Sequence, residues 1–352
     1  MSSQVQVVVT PGSGEGRARA TARRLRRALT RRGAEVQVRT FQNLEALESW
    51  AATCEPGFSH LVAIGGDATL SAAARAAMRL SVPFVPVPNG FGNIFARAFG
   101  HDDRTRSVLG LFDRGELRRV DVGVIGGETV FLSHRSFGML EDVQEAVEEG
   151  RAQPKSRLRR HLAYYARARR YVFGRPMPSI RVEVDGALIA EDAAVVTVAN
   201  VETYRGYLSL TPTASPIDGL FDVFVIPRAA KPLVWARLLM LFLELPFRWD
   251  GVLLCRGRQA RVTVSGRTAE ELSVRRAALP LLVPPGSVSS LVARQAEADA
   301  ALAGAGGPPS ARELSAEREA ALRGPAWPPH PRPAAPPARA RSTRSAGLGA
   351  RG

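Results

Sequence analysis

Apolar and polar positions alternate in short blocks through the first hundred residues. Gln4–Val9 is apolar from Val5 onward and stops at the turn Thr10-Pro11-Gly12-Ser13-Gly14, which predicts a strand. Residues 15–32 carry Ala18, Ala22, Leu25, Ala28 and Leu29 on one helical face, with Gly33 as the stop. Residues 35–39 alternate as a short strand. Asn43 is placed to cap a helix bearing Leu44, Leu47, Trp50 and Ala51 on one stripe. Residues 60–64 form a compact apolar strand that runs into Gly65-Gly66-Asp67. A helix, a strand over residues 84–87, a second glycine loop and a helix start at Asn93 follow. This βαβα order predicts a parallel sheet covered by helices, with ligands at the carboxyl ends of its strands.

From about residue 117 the pattern shortens. Residues 118–124, 129–133, 179–184, 194–199, 220–226 and 259–264 are β-like, and Gly126-Gly127 and Asp185-Gly186 supply hairpin turns. Helical stretches over residues 157–173 and 231–247 interrupt them. An antiparallel, sandwich-like second domain is expected. After residue 295 the chain is rich in Ala, Pro, Gly and Arg, and it cannot bury enough apolar surface to offset its chain entropy. A disordered basic tail is expected there.

Composition narrows the function classes. No apolar run is long enough for a transmembrane helix; the nearest, residues 233–245, is interrupted by Arg237 and Glu244. The first residues lack the pattern of a signal peptide, so a cytoplasmic protein that visits membranes peripherally is expected. Cys54 and Cys255, the two cysteines, have no second Cys or His at metal spacing. The net charge of +15 rests almost wholly on arginine, since Lys155 and Lys231 are the two lysines. Such charge favours anionic partners, but no nucleic-acid-binding motif accompanies it, so no specific nucleic acid is expected.

The candidate chemistry lies in three glycine-bearing loops, each at a strand-to-helix junction: residues 10–16, Gly65-Gly66-Asp67-Ala68-Thr69, and Pro88-Asn89-Gly90-Phe91-Gly92-Asn93. Glycines there let backbone N–H groups approach phosphate oxygens, aided by the helix N-terminus. The first loop is neither a Walker A sequence nor a GxGxxG fingerprint.

These stretches resemble the motifs of the diacylglycerol and sphingosine kinase family. Val8 through Gly14 is similar to its opening motif. Gly65-Gly66-Asp67-Ala68-Thr69 resembles GGDGT, and residues 88–97 resemble PxGTxNDFAR. Val198-Ala199-Asn200, Tyr204-Arg205-Gly206, Leu210-Thr211-Pro212 and Asp218-Gly219-Leu220-Phe221-Asp222 follow the family's later motifs in order and spacing. The resemblance covers residues 4–293.

It implies an NAD-kinase-like α/β domain over residues 1–118 and a β-sandwich-like lipid-substrate domain over residues 119–285. A last strand near residues 288–292, in a segment spanning 286–294, would return to the first domain. Residues 295–352 remain as the tail. The cofactors implied are ATP and Mg²⁺; the partners are a lipid substrate and an anionic membrane surface, and a homodimer is left open. The phosphates would be bound by Gly65, Gly66, Ala68 and Thr69, with Thr10, Ser13, Gly14, Thr40, Gly90, Gly92 and Asn93 completing the pocket. Asp67 would act on the acceptor hydroxyl or organise Mg²⁺.

The chain departs from the family at Ala68, Phe91 and Ile94. It also lacks a C-terminal Asp-Gly-Glu, whose expected place holds Leu272-Ser273-Val274. Glu271, or its neighbour Glu270, would substitute through a register shift, or both are solvent-facing loop charges. Asp218 is either a ligand of a second, structural metal or an ordinary Asp-Gly turn. The chain is therefore an active lipid kinase, a silent family member that binds nucleotide or lipid, or a kinase for a soluble acceptor.

Overall fold

The computed structural model describes residues 4–10, 17–90, 92–141, 169, 173–174, 176–202, 210–242 and 252–304. The first half alternates β1 (Gln4–Val9), α1 (Arg17–Thr30), β2 (Glu35–Thr40), α2 (Leu44–Thr53), β3 (His60–Gly65), α3 (Asp67–Leu80) and β4 (Phe84–Pro88). The short α4 (Ile94–Ala98) and α5 (Thr105–Arg114) follow. β1 pairs in parallel with both β2 and β3, and β3 with β4. Alternate residues of these strands are buried on opposite faces. Val5, Val7 and Val9 pack with Ala18, Ala22, Leu25 and Leu29 of α1, while Val8, Leu61 and Ala63 pack with Leu47, Ala51, Leu70 and Ala73. A sheet buried on both faces reads as continuous apolar runs, which is why the sequence carries them.

The second half contains β5 (Glu116–Ile125), β6 (Thr129–Phe131), β7 (His134–Gly138), β8 (Ile180–Val184), β9 (Ala187–Ala199) and β10 (Phe221–Pro227). These are followed by α6 (Lys231–Phe242), β11 (Leu253–Gly257), β12 (Gln259–Val264), β13 (Glu270–Val283) and α7 (Ser287–Gly304). The antiparallel strands form a β-sandwich-like unit around Phe137, Val182, Val196, Phe221, Val223 and Val262. Asp185 at φ 49° and Gly186 at φ 80° turn β8 into β9; Gly126 and Gly127, at 58° and 80°, turn β5 into β6. Positive φ at both central residues matches the turn to the strand twist.

The two halves share one sheet of order β11-β10-β9-β8-β12-β13-β4-β3-β1-β2. β13 is the joint. Its first half pairs with β12, as Leu272 does with Ala260; its second half pairs in parallel with β4 at Leu281 and Phe84. β5 runs antiparallel to both halves, with a register shift between Arg275 and Leu279 where Ala277 adopts φ 47°.

The returning strand is therefore β13, and the expected strand near residues 288–292 is instead the first half of α7. Val288, Leu291 and Gln295, spaced by three and four, are its buried positions among the described side chains, so burial follows the helical period. The helix continues to Gly304, into residues assigned from the sequence to the tail. β7, β11 and α5 were not anticipated. The expected helix over residues 157–173 and the later tail lie almost wholly outside the described residues. No helix among those described is long and apolar enough to cross a membrane.

Candidate functional site

The carboxyl ends of β2, β1, β3 and β4 are aligned by their ladders: Val9 pairs with Thr40 and Ile64, and Gly65 with Pro88. Thr10, Thr40, Gly65 and Asn89 therefore leave the sheet along one edge. Ser13 and Gly14, in the first loop, lie outside the described residues, as does Phe91.

The second and third loops are in contact. A Cβ on Gly90 would stand 2.5 Å from the Gly66 Cα, a separation that side chains do not adopt. Gly66 is extended at φ −85°, and it caps α3 without a side chain. Thr69 folds back over Gly65, where a Cβ would fall 2.4 Å from the threonine Cβ. The Thr69 hydroxyl lies 2.6 Å from that of Thr10, tying the first loop to the second. Ala68 lies within α3, with no positive φ, so alanine there carries no backbone strain.

Asn93 adopts the left-handed conformation at φ 52°, which asparagine tolerates. Its carboxamide accepts from the Gly90 N–H at 2.8 Å and donates to the Gly90 carbonyl at 2.7 Å, closing the third loop on itself. In the same loop Asn89 Nδ2 is buried without a partner among the described residues. Asp67 occupies the first turn of α3. Its Oδ1 accepts from the Phe95 N–H at 3.3 Å, and its Oδ2 lies where a Cβ on Gly92 would come within 2.9 Å. It is therefore not the cap of its own helix, since Gly66 holds that position. Among the described residues these loops bring together glycine backbone at a helix N-terminus, the unpartnered Asn89 amide and one carboxylate. That donor set fits a nucleotide's phosphates.

The acids proposed from the end of the sequence lie in β13. Glu271 is in β13, largely exposed, with Arg261 of β12 3.8 Å away. Glu270 accepts two hydrogen bonds from Arg135, at 2.8 and 3.1 Å. Leu272-Ser273-Val274 lies inside the first half of β13 rather than in a turn. The glycine-centred turn before that strand is Ser265-Gly266-Arg267, with Gly266 at φ 78°, and Arg267 donates to Glu141 at 2.8 Å. Arginine thus stands where an Asp-Gly-Glu turn would place its last acid.

Asp218 opens a true Asp-Gly turn, with Gly219 at φ 77°. Its carboxylate is fully engaged. Oδ1 accepts from the Leu220 N–H at 3.0 Å, and Oδ2 accepts from Arg256 and from Gln295, both at 2.7 Å. Burial pushes the Asp218 carboxyl up to about 6 against the pull of Arg256, and the nearby Asp222 charge adds to the rise. Burial alone would lower Arg256, but Asp222 and Asp218 more than reverse it, so the guanidinium stays charged. Asp121, raised mainly by burial, accepts from the N–H groups of Gly219 and Ala277 at 2.7 Å each and fixes both irregular turns. Among the described residues no group of three or more His, Cys, Asp or Glu side chains is arranged to hold a metal ion. Neither Asp121 nor Arg256 stands out along the sequence. Asp121 sits in an otherwise apolar stretch of β5, and that was its one available signal.

The diacylglycerol kinase catalytic domain family matches residues 4–125, and the YegS C-terminal NAD kinase beta sandwich-like domain family matches residues 136–277. A diacylglycerol kinase of Mycobacterium tuberculosis is 28% identical over 227 residues, 62% of this chain and 72% of that protein. An NAD kinase of Thermobifida fusca is 26% identical over 292 residues, 76% and 81% of the two chains. The crystal structure of a diacylglycerol kinase from Bacillus anthracis superposes with a TM-score of 0.59 at 16% identity, covering 80% of this chain and 98% of the other. This chain belongs to the diacylglycerol kinase and YegS-like lipid kinase family. That is a family of ATP-dependent lipid kinases.

Proposed function

We propose that this protein transfers the γ-phosphoryl group of ATP to a hydroxyl of diacylglycerol or of a related lipid such as a sphingoid base. The observation that carries this reading is the position of Asp67, held at the start of α3 against both glycine loops. The nucleotide phosphates would lie against the backbone of Gly65, Gly66, Gly90 and Gly92, with Thr10 and Thr69 bordering them and the Gly90 N–H itself held by Asn93. Asp67 would orient the acceptor hydroxyl and take its proton. Mg²⁺ bound with ATP supplies charge neutralisation on the transferred group. Leu233 and Met240 are exposed on α6, which also carries Lys231 and Arg237, and together with the net charge of +15 this supports approach to an anionic membrane.

A second reading, a family member that binds nucleotide or lipid without turnover, is favoured by one observation. Glu270, Glu271 and the 265–267 turn offer arginine pairs or arginine itself where a second acid is expected. The two readings separate on incubation of the protein with radiolabelled ATP, Mg²⁺ and vesicles containing diacylglycerol, sphingosine and ceramide. The wild type should label a lipid. Asp67→Asn should label it roughly 10²–10⁴-fold more slowly while still binding ATP. ATP binding with no labelled lipid in the wild type would reject the kinase reading and select the silent one.

A further inference from the structure

The strongest unexplained feature lies away from the glycine loops. Asp218 and Asp222 are buried acids, with side chains 3% and 0% exposed, and a single guanidinium stands between them. Arg256 of β11 donates through Nη2 to Asp218 and through Nε to Asp222, both at 2.7 Å, and Nη2 also reaches the Thr213 carbonyl at 2.9 Å. Its Nη1 lies 4.0 Å from Asp299 of α7. One turn earlier in that helix, buried Gln295 donates to the same Asp218 oxygen that Arg256 holds. Thr213 completes the set by donating to the other oxygen of Asp222. The guanidinium thus joins the 213–222 segment and β11 to the C-terminal helix.

We infer that Arg256 is a built-in cation: it fills the place a divalent ion would take between Asp218 and Asp222, pins α7 to the sandwich, and makes this part of the fold independent of metal. The donor chemistry supports this. A hard divalent ion needs several oxygen ligands, and these carboxylate oxygens are already committed to N–H or O–H donors. An ion entering beside the guanidinium would have to displace these donors and sit against a positive charge the acids already hold. Removing Arg256 alone reverses the situation. It leaves the Asp218 and Asp222 carboxylates and the Thr213 carbonyl around one vacated volume, with Asp299 at its edge, a set of oxygen donors open to Ca²⁺ or Mg²⁺. The inference stands whether or not the protein transfers phosphate.

Thermal unfolding of the full chain in EDTA, millimolar Mg²⁺ and millimolar Ca²⁺ provides the test, with Arg256→Met and Arg256→Lys alongside. The wild type and Arg256→Lys should melt at temperatures that do not respond to either ion. Arg256→Met, which strands buried acids, should melt on the order of 5–10 °C lower in EDTA and recover much of that loss in Ca²⁺ or Mg²⁺. If Arg256→Met does not fold in EDTA, refolding on addition of the ion gives the same answer. A wild type destabilised by EDTA would overturn the inference. So would an Arg256→Met protein that gains nothing from either ion.

Discussion

Gly90→Ala tests whether the contact between the two glycine loops shapes the nucleotide site. The added Cβ would meet the Gly66 Cα at 2.5 Å, the Gly66 amide nitrogen at 3.2 Å and Asn93 Oδ1 at 3.1 Å. Ordinary contact needs about 3.5 Å or more, so one loop must retreat by about 1 Å, and the nearest obstacle, the Gly66 Cα, belongs to the backbone. Overpacking of this kind costs about 1–3 kcal/mol, which in a domain of this size lowers Tm by several degrees. A 1 Å misplacement of positioning groups costs about 10²-fold in rate. Gly66→Ala is the control, since its Cβ would sit 3.4 Å from Gly90 and its backbone is extended, so the fold should accept it. Calorimetric ATP titration and thermal melts of both variants are the assay. Gly90→Ala should lose stability and at least about tenfold in ATP affinity, a change of about 1.4 kcal/mol. Gly66→Ala should keep its Tm, so any affinity it loses reports the ligand's own need for that space. A Gly90→Ala protein that melts and binds ATP like the wild type would refute the reasoning.

Two further perturbations read other parts of the molecule. Burial lowers His101 to about 4 from 6.5, with the Asp102 charge opposing, and its Nε2 has no partner among the described residues. The unfolded chain therefore takes up the proton first, so stability is full above pH 6.5 and falls by roughly 3 kcal/mol as the pH drops to 4. Urea melts across that range should show the loss, and His101→Phe should flatten it. Glu271→Gln should change stability by less than about 0.5 kcal/mol, because its ion pair with Arg261 is exposed and long. Loss of lipid phosphorylation in that variant without a change in Tm would return Glu271 to the catalytic machinery.

The glycine loops were legible in the sequence because each lies directly after a compact apolar strand, and the parallel order brings strand ends together without help from distant residues. β13 was not legible. Its middle carries Arg275 and Arg276, Pro280 interrupts its apolar end, and it is held together by pairing with β5 and β4 rather than by local propensity. β7 opens with His134, Arg135 and Ser136, polar residues that hide a strand buried mainly at Ser136, Phe137 and Gly138. The Ala68 departure carries no backbone penalty, because that position is helical. Arg256 was silent for a different reason. Its partners lie in other elements, and only folding makes one cation the neighbour of three acids.

The shared strand also governs how the protein is made. On the ribosome, Phe84 emerges long before Leu281, the residue that pairs beside it. At ordinary elongation rates that gap lasts roughly 10–40 s. Throughout it the nascent α/β half has an unpaired flank on β4, an open template for other strands. A chain released before β13 is complete would keep that flank indefinitely. Premature termination anywhere upstream should therefore yield aggregation-prone fragments rather than a smaller working domain.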